Sequence, residues 1–168
     1  LSPSAMARQV KEAQEYRDVA QLQVSVVSQL READAADKDI LCVLEDQWSS
    51  IVQDAATVIH SKETQLQLVS DYCTQIQMAK TKLDQLTAEL DAVKSPEQSS
   101  CTEAGQLTSL QKRLEENRII LGELLLTHTR ICLILSHSDR EAAQTEQKNL
   151  QEKWRSLERS VENCLHHT

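Results

Sequence analysis

Glycine and proline are scarce in this sequence, two of each among 168 residues, and phenylalanine is missing altogether. Aromatic residues make up only 2 % of the chain. A β-protein needs turn-formers at each reversal and β-branched or aromatic runs in its strands. Neither supply is present, which excludes a sandwich or barrel. What abounds is Ala, Leu, Gln, Glu, Lys and Ser, most of which lose little on entering a helix. Hydrophobic residues reach 40 % and charged ones 26 %, enough for a core and too apolar for a disordered chain. The expected class is all-α, with long helices and few connections.

Positive charge is also in short supply. Lys and Arg number 18 against 26 Asp and Glu, a formal net charge of −8. Nucleic acids and membrane surfaces select a clustered positive field, so neither is an expected partner. No run of about 18 apolar residues occurs, so no membrane insertion of this segment is expected. The first twenty residues read as polar and helical, unlike a secretory leader. Five cysteines, Cys42, Cys73, Cys101, Cys132 and Cys164, stand far apart with no C-x-x-C pair. Odd, scattered thiols fit a reducing compartment, cytoplasm or nucleus, better than a disulfide framework. Gly-rich phosphate loops, H-E-x-x-H and G-x-S-x-G are all missing. The sequence therefore offers no catalytic residue, no cofactor site and no metal site, and the chain does not read as an enzyme.

The apolar residues recur with helical spacing. From Ser4 to Ala33, Met6, Val10, Ala13, Tyr16, Ala20, Val24, Val27 and Leu30 form one face, with Ser2-Pro3 as the expected cap. An acidic joint, Glu32 to Asp37, closes that segment. A second seam runs Leu41, Leu44, Trp48, Ile51, Ala55, Val58, then Val69, Tyr72, Ile76, Ala79, Leu83, Leu86, Leu90 and Val93. Only Lys62 and Gln65 interrupt it, and no Gly or Pro falls between Asp37 and Lys94. The spacing predicts one helix of more than fifty residues, about 80 Å long. Pro96 ends it. A third segment opens on Ser100-Cys-Thr-Glu103, a capping box, and carries Leu107, Leu110, Leu114, Asn117, Leu121, Leu124, His128, Ile131 and Leu135. A fourth opens on a second box, Ser138 to Glu141, and carries Leu150, Trp154, Leu157, Val161 and Cys164.

Trp48 and Trp154 stand 106 positions apart, and their surroundings match at that offset. Leu44, Trp48, Ile51, Ala55 and Val58 align with Leu150, Trp154, Leu157, Val161 and Cys164. The preceding helices align at an offset near 104, Val10 with Leu114, Ala20 with Leu124 and Val27 with Ile131. Fixed self-similarity of this kind marks a repeat architecture.

The period, three helices to a unit and a Trp in the third, resemble the spectrin-repeat family over the whole chain. The missing Trp between Ala79 and Leu83 is closer to the divergent repeats of giant cytoskeletal linkers, nesprins foremost, with dystonin and dystrophin also in view. The resemblance implies three-helix bundles in tandem that share one long continuous helix. Residues 1–62 would be a partial repeat, helices B and C, and residues 63–168 a complete one, helices A, B and C. It implies a rod-like spacer that transmits force between the cytoskeleton and a structure such as the cytoplasmic face of the nuclear envelope. A second role is a docking module for an actin regulator, formin-like, or a motor adaptor. The hairpin of residues 4–62 would leave an apolar groove with three open explanations: a cut from a longer protein, a second copy, or a partner helix. A dimer is the expectation for the fragment by itself.

Some residues invite a functional reading. Trp48, Trp154, Leu44 and Leu150 lie on the seams, so core packing outweighs a binding role. His128 and Cys132 have the spacing of a metal pair but no further ligand pair near, and His128, like Asn117, reads better as a polar residue that fixes helix register. His166-His167 reads as a frayed end. Lys80, Lys82, Lys112 and Arg113, with Arg118, form the local basic excess and the candidate partner surface. The third segment also has more apolar residues than one seam needs, Ile119, Ile120, Leu125, Leu126, Leu133 and Ile134, most expected in the core and one or two on the surface.

Overall fold

Every regular element among the described residues is a helix. A computed structural model describes residues 2–32, 38–95 and 100–167, and the order is α1 (Pro3–Glu32), α2 (Lys38–Val93), α3 (Ser100–Glu116), α4 (Arg118–Ile131) and α5 (His137–His166). The acidic joint at 33–37 and the stop at Pro96 lie outside the described residues. α1 begins where Ser2 and Pro3 predict: Ser2 Oγ accepts from the Ala5 amide at 3.3 Å, and Pro3 takes the first helical position. α2 is helical for 56 residues without a break.

Two local expectations are corrected. The third segment is two helices, not one. Asn117 sits at φ −87°, ψ −1°, and its Nδ2 donates to the Arg113 carbonyl at 2.6 Å. A side chain that competes for a carbonyl one turn back ends α3, and α4 restarts at Arg118. The cap of α5 is Ser136, not Ser138. Ser136 has extended backbone, and its Oγ accepts from the Asp139 amide at 3.2 Å, which puts Ser138 inside the first turn. At α3 the helix already includes Ser100, whose side chain lies outside the description.

The chain divides into two compact units, Leu1–Gln67 and Leu68–Thr168, with the division inside α2 and slightly beyond the expected Lys62–Gln65 joint. In the second unit the α2 seam is buried at every predicted position, Val69, Tyr72, Ile76, Ala79, Leu83, Leu86, Leu90 and Val93. Against it pack Leu107, Leu110 and Leu114 of α3, Leu124 and Ile131 of α4, and Leu150, Trp154, Leu157 and Val161 of α5. Ion pairs tie the same helices at the rim: Lys80 with Glu146 on α5, and Arg113 on α3 with Glu89. All ten of the largest fully buried side chains belong to this unit, so the extensive core of the molecule is here.

The first unit is a hairpin of α1 against the start of α2. Its buried apolar residues are Val10, Ala20, Val27, Ala55 and Ile59, mostly small. The predicted seam holds only partly: Met6, Ala13, Val24, Leu41 and Ile51 are half-buried, while Tyr16, Leu30, Leu44 and Val58 are exposed. Ile59 takes the place predicted for Val58, a shift of one residue that turns the α2 face towards its single neighbour.

Equivalent positions thus have different burial. Leu150 is 3 % exposed and Leu44 is 37 % exposed; Trp154 is 1 % exposed and Trp48 only half-buried. Truncating a fully enclosed Trp costs about 3–5 kcal/mol, and a half-enclosed one roughly half of that. Trp154→Ala is expected to show the larger loss in urea unfolding followed by circular dichroism, and Trp48→Ala the smaller. Equal losses would contradict the difference in packing.

Candidate interaction surfaces

The interior of the second unit contains a polar layer towards the turn between α4 and α5. Tyr72 of α2 and His128 of α4 have ring centroids 6.0 Å apart, tilted by 46°. Cys132, one turn on, places Sγ 3.6 Å from one His128 ring nitrogen and 3.8 Å from the other. Thr127 and Gln147 are buried nearby on α4 and α5. Burial, and then the negative charge of Glu146, pushes the Tyr72 phenol well above its ordinary pKa. Among the described residues no group of three or more His, Cys, Asp or Glu side chains converges as metal ligands. His128 and Asn117 are both half-buried on the seam, and Asn117 has the further task of ending α3.

The four basic residues singled out from the sequence do not form a patch of free charge. Lys80 pairs with Glu146 at 2.5 Å, Arg113 with Glu89, and Lys112 with Glu116 one turn on at 3.9 Å. Lys82 is half-buried. Arg118 is held by both carboxylate oxygens of Glu158, at 3.0 and 2.9 Å. Two of the four candidate residues, Lys80 and Arg113, are thus paired with a neighbouring helix, and Lys112 stands at 77 % side-chain exposure beside Glu116 of its own helix. A furrow between α2 and α5, lined by Lys80, Leu83, Glu146, Leu150 and Lys153, is open along its length and rimmed by one of these pairs. His166 continues α5 and lies 3.8 Å from Glu162, while His167 caps the helix.

Exposed apolar surface is the more distinctive feature. Of the 14 exposed large apolar side chains among the described residues, nine lie in the first unit, which is the smaller one. On α1, Val19, Leu22, Val26 and Leu30 form a stripe about a third of a turn from the buried Val10, Ala20 and Val27. At the start of α2, Ile40, Val43, Leu44 and Val58 flank the buried Ala55 and Ile59 in the same way. Ala13 and Tyr16 of α1 line a common groove with Ile51, Asp54, Ala55 and Val58 of α2, so the exposed Tyr16 and Val58 share one side of the hairpin. The hairpin's polar clasps are on residues that point elsewhere: Gln14 donates to Glu63 at 3.1 Å, Ser28 to Glu45 at 3.2 Å, and Arg31 pairs with Glu45 at 2.8 Å. The first unit therefore has one apolar side, with Tyr16 61 % exposed upon it.

Sequence reasoning placed Tyr16 and Leu30 in a core and did not single out Val19, Leu22, Val26, Ile40 or Val43. The signal was present as a second set of three- and four-residue steps beside the first. Gln147 was also missed because it is polar, although it stands three residues before Leu150 and four after Ala143, both buried. Of the extra apolar residues on the third segment, Ile120 and Ile134 are half-buried, whereas Ile119, Leu125, Leu126 and Leu133 face outward. No helix of the described residues is long and apolar enough to cross a membrane. No protein-family model matches this chain, and neither a curated protein nor a solved structure matches it.

The thiols differ in reactivity by environment. Burial, and then Glu146, raises the Cys73 thiol above its ordinary pKa, whereas Cys42 and Cys101 are exposed. Only the thiolate attacks, so a raised pKa leaves less nucleophile at a given pH. Iodoacetamide near pH 8 is expected to modify Cys42 and Cys101 before Cys73, read by peptide mass mapping. The Cys73 rate should keep rising above about pH 8.5, the usual thiol range. Modification of Cys73 first would contradict this environment.

Proposed function

We propose that this chain is a non-enzymatic structural segment of a giant cytoskeletal linker, built from spectrin-type repeats and acting as a spacer that carries force. The observation that carries the reading is α2, helical without interruption for 56 residues through the boundary of the two compact units at Gln67. An unbroken helix satisfies its interior backbone groups internally along its whole length and resists sharp bending, which a strut requires. The internal repeat adds to this. The Trp154 region is the enclosed version of the Trp48 region, and its unit has residues 68–93 as a further buried helical seam. By the same correspondence, the apolar side of the first unit is the seat of a third helix with the heptad pattern of Val69 to Val93. The proposed setting is the cytoplasm, including the cytoplasmic face of the nuclear envelope.

Docking of an actin regulator or motor adaptor is the second reading. Its support is the exposed apolar surface, not the basic residues, because Lys80, Lys112 and Arg113 already have acidic partners in the bundle. Specific interfaces draw on buried apolar anchors more than on rim charges.

Spin labels at Asp54→Cys and Asp84→Cys, with the five native cysteines replaced, test the strut by electron–electron double resonance. Thirty residues of straight helix span about 45 Å. A narrow distance distribution at that value is expected. A broad or much shorter distribution would mean a hinge in α2 and would overturn the spacer reading.

A further inference from the structure

The second unit has a complete core, yet one of its helices carries a second apolar line. α4 turns Leu124, Thr127 and Ile131 inward. On its opposite face stand Ile119, Leu126 and Leu133, seven residues apart and 66 %, 64 % and 84 % exposed. Leu133 lies in the turn just past the Cys132 cap of α4, where its amide bonds the Arg130 carbonyl three residues back, so it extends the line by one tighter turn. Between these large residues, at the remaining positions of a coiled-coil seam, come Gly122 and Thr129. A Cβ built on Gly122 meets nothing within 4 Å, so the space over that position is open. The face therefore alternates large and small side chains, knobs and hollows.

We propose that this face binds a second copy of the same chain, with the two α4 helices antiparallel. The argument is complementarity of shape and of charge. When the helices run in opposite directions, Leu133 of one copy lies over Gly122 of the other, and Leu126 lies over Thr129. Two-fold symmetry repeats both contacts. In that register Glu123 of each copy falls beside Arg130 of the other, two opposite-charge pairs along one flank, with the exposed Leu125 on the other. A parallel pairing stacks Leu126 on Leu126 and sets Gly122 against Gly122, which leaves a hole. Among the described residues Glu123 and Arg130 have no ion-pair partner in their own bundle, unlike Arg118 with Glu158. The charges that the register needs are thus the ones left uncommitted.

The paired stretch, Gly122 to Leu133, is about 17 Å long. A contact that short is small beside the roughly 1,200–2,000 Å² that specific stable complexes bury, so the association is weak and concentration-dependent. In a protein with many such units, weak lateral contacts add through effective concentration.

Sedimentation of the full chain from about 1 to 500 μM covers the affinity range of a weak pair. A monomer–dimer equilibrium is expected. Leu126→Glu is expected to leave monomer throughout. Glu123→Arg and Arg130→Glu should each weaken the dimer about tenfold by facing like charges, and the double variant should restore it to within about twofold. All these positions are exposed, and circular dichroism verifies that each variant is folded. Leu22→Glu, on the apolar side of the first unit, serves as the control and should leave the equilibrium unchanged. Monomer at every concentration would overturn the proposal, as would loss of the dimer in Leu22→Glu alone or failure of the double variant to recover.

Discussion

The burial of one heptad seam, Val69 through Val93, is the constraint on which the second unit depends. Its eight apolar residues are all buried, and each adjoining helix meets it with a line of its own. Burial of a large aliphatic or aromatic side chain is worth roughly 1.5–3 kcal/mol, so the seam and its counterparts dominate what holds this part of the chain. The polar layer at Tyr72, Thr127, His128 and Gln147 interrupts that apolar core. The rim ion pairs add little energy, because exposed pairs are worth about 0–1 kcal/mol, but they fix which helix lies beside which.

The first unit repeats the pattern without the third line. Helix–helix contact between α1 and the start of α2 buries Ala20, Ala55 and Ile59, and leaves Tyr16, Leu22, Leu44 and Val58 in water. Two helices enclose only a strip, whereas three enclose a core, and Trp48 is half-buried for that reason. The same sequence features produce different burial because the number of neighbours differs. Under the proposed reading as a spacer, this surface receives the helix that completes the repeat, and the outward line on α4 adds a lateral contact.

Fold class, the long second helix and the seam of residues 69–93 were legible in the sequence, since heptad spacing and a lack of Gly and Pro are local properties. The match of Trp48 with Trp154 was also legible, but its unequal burial was not. Periodicity shows which residues share a face and does not show how many helices that face meets. The break at Asn117 was missed because an Asn on a seam reads as a register device, while its actual contact is with its own backbone at Arg113. The cap at Ser136 was missed because Ser136 and Ser138 offer overlapping cap patterns, and only the extended backbone at Ser136 decides between them. The basic residues looked like a surface because their acidic partners, Glu146 and Glu89, lie on other helices.

These differences in enclosure must show in local stability. Opening free energy follows the contacts that each segment makes, from near zero at loose ends to the global value in a packed core. Hydrogen–deuterium exchange of the full chain, resolved by peptide, tests this most directly. The expected result is slow exchange in 124–131, 150–161 and the last part of α2, and much faster exchange in 10–27 and 41–59, with protection rising along α2 past Gln67. Uniform protection along α2, or faster exchange around Trp154 than around Trp48, would contradict the account.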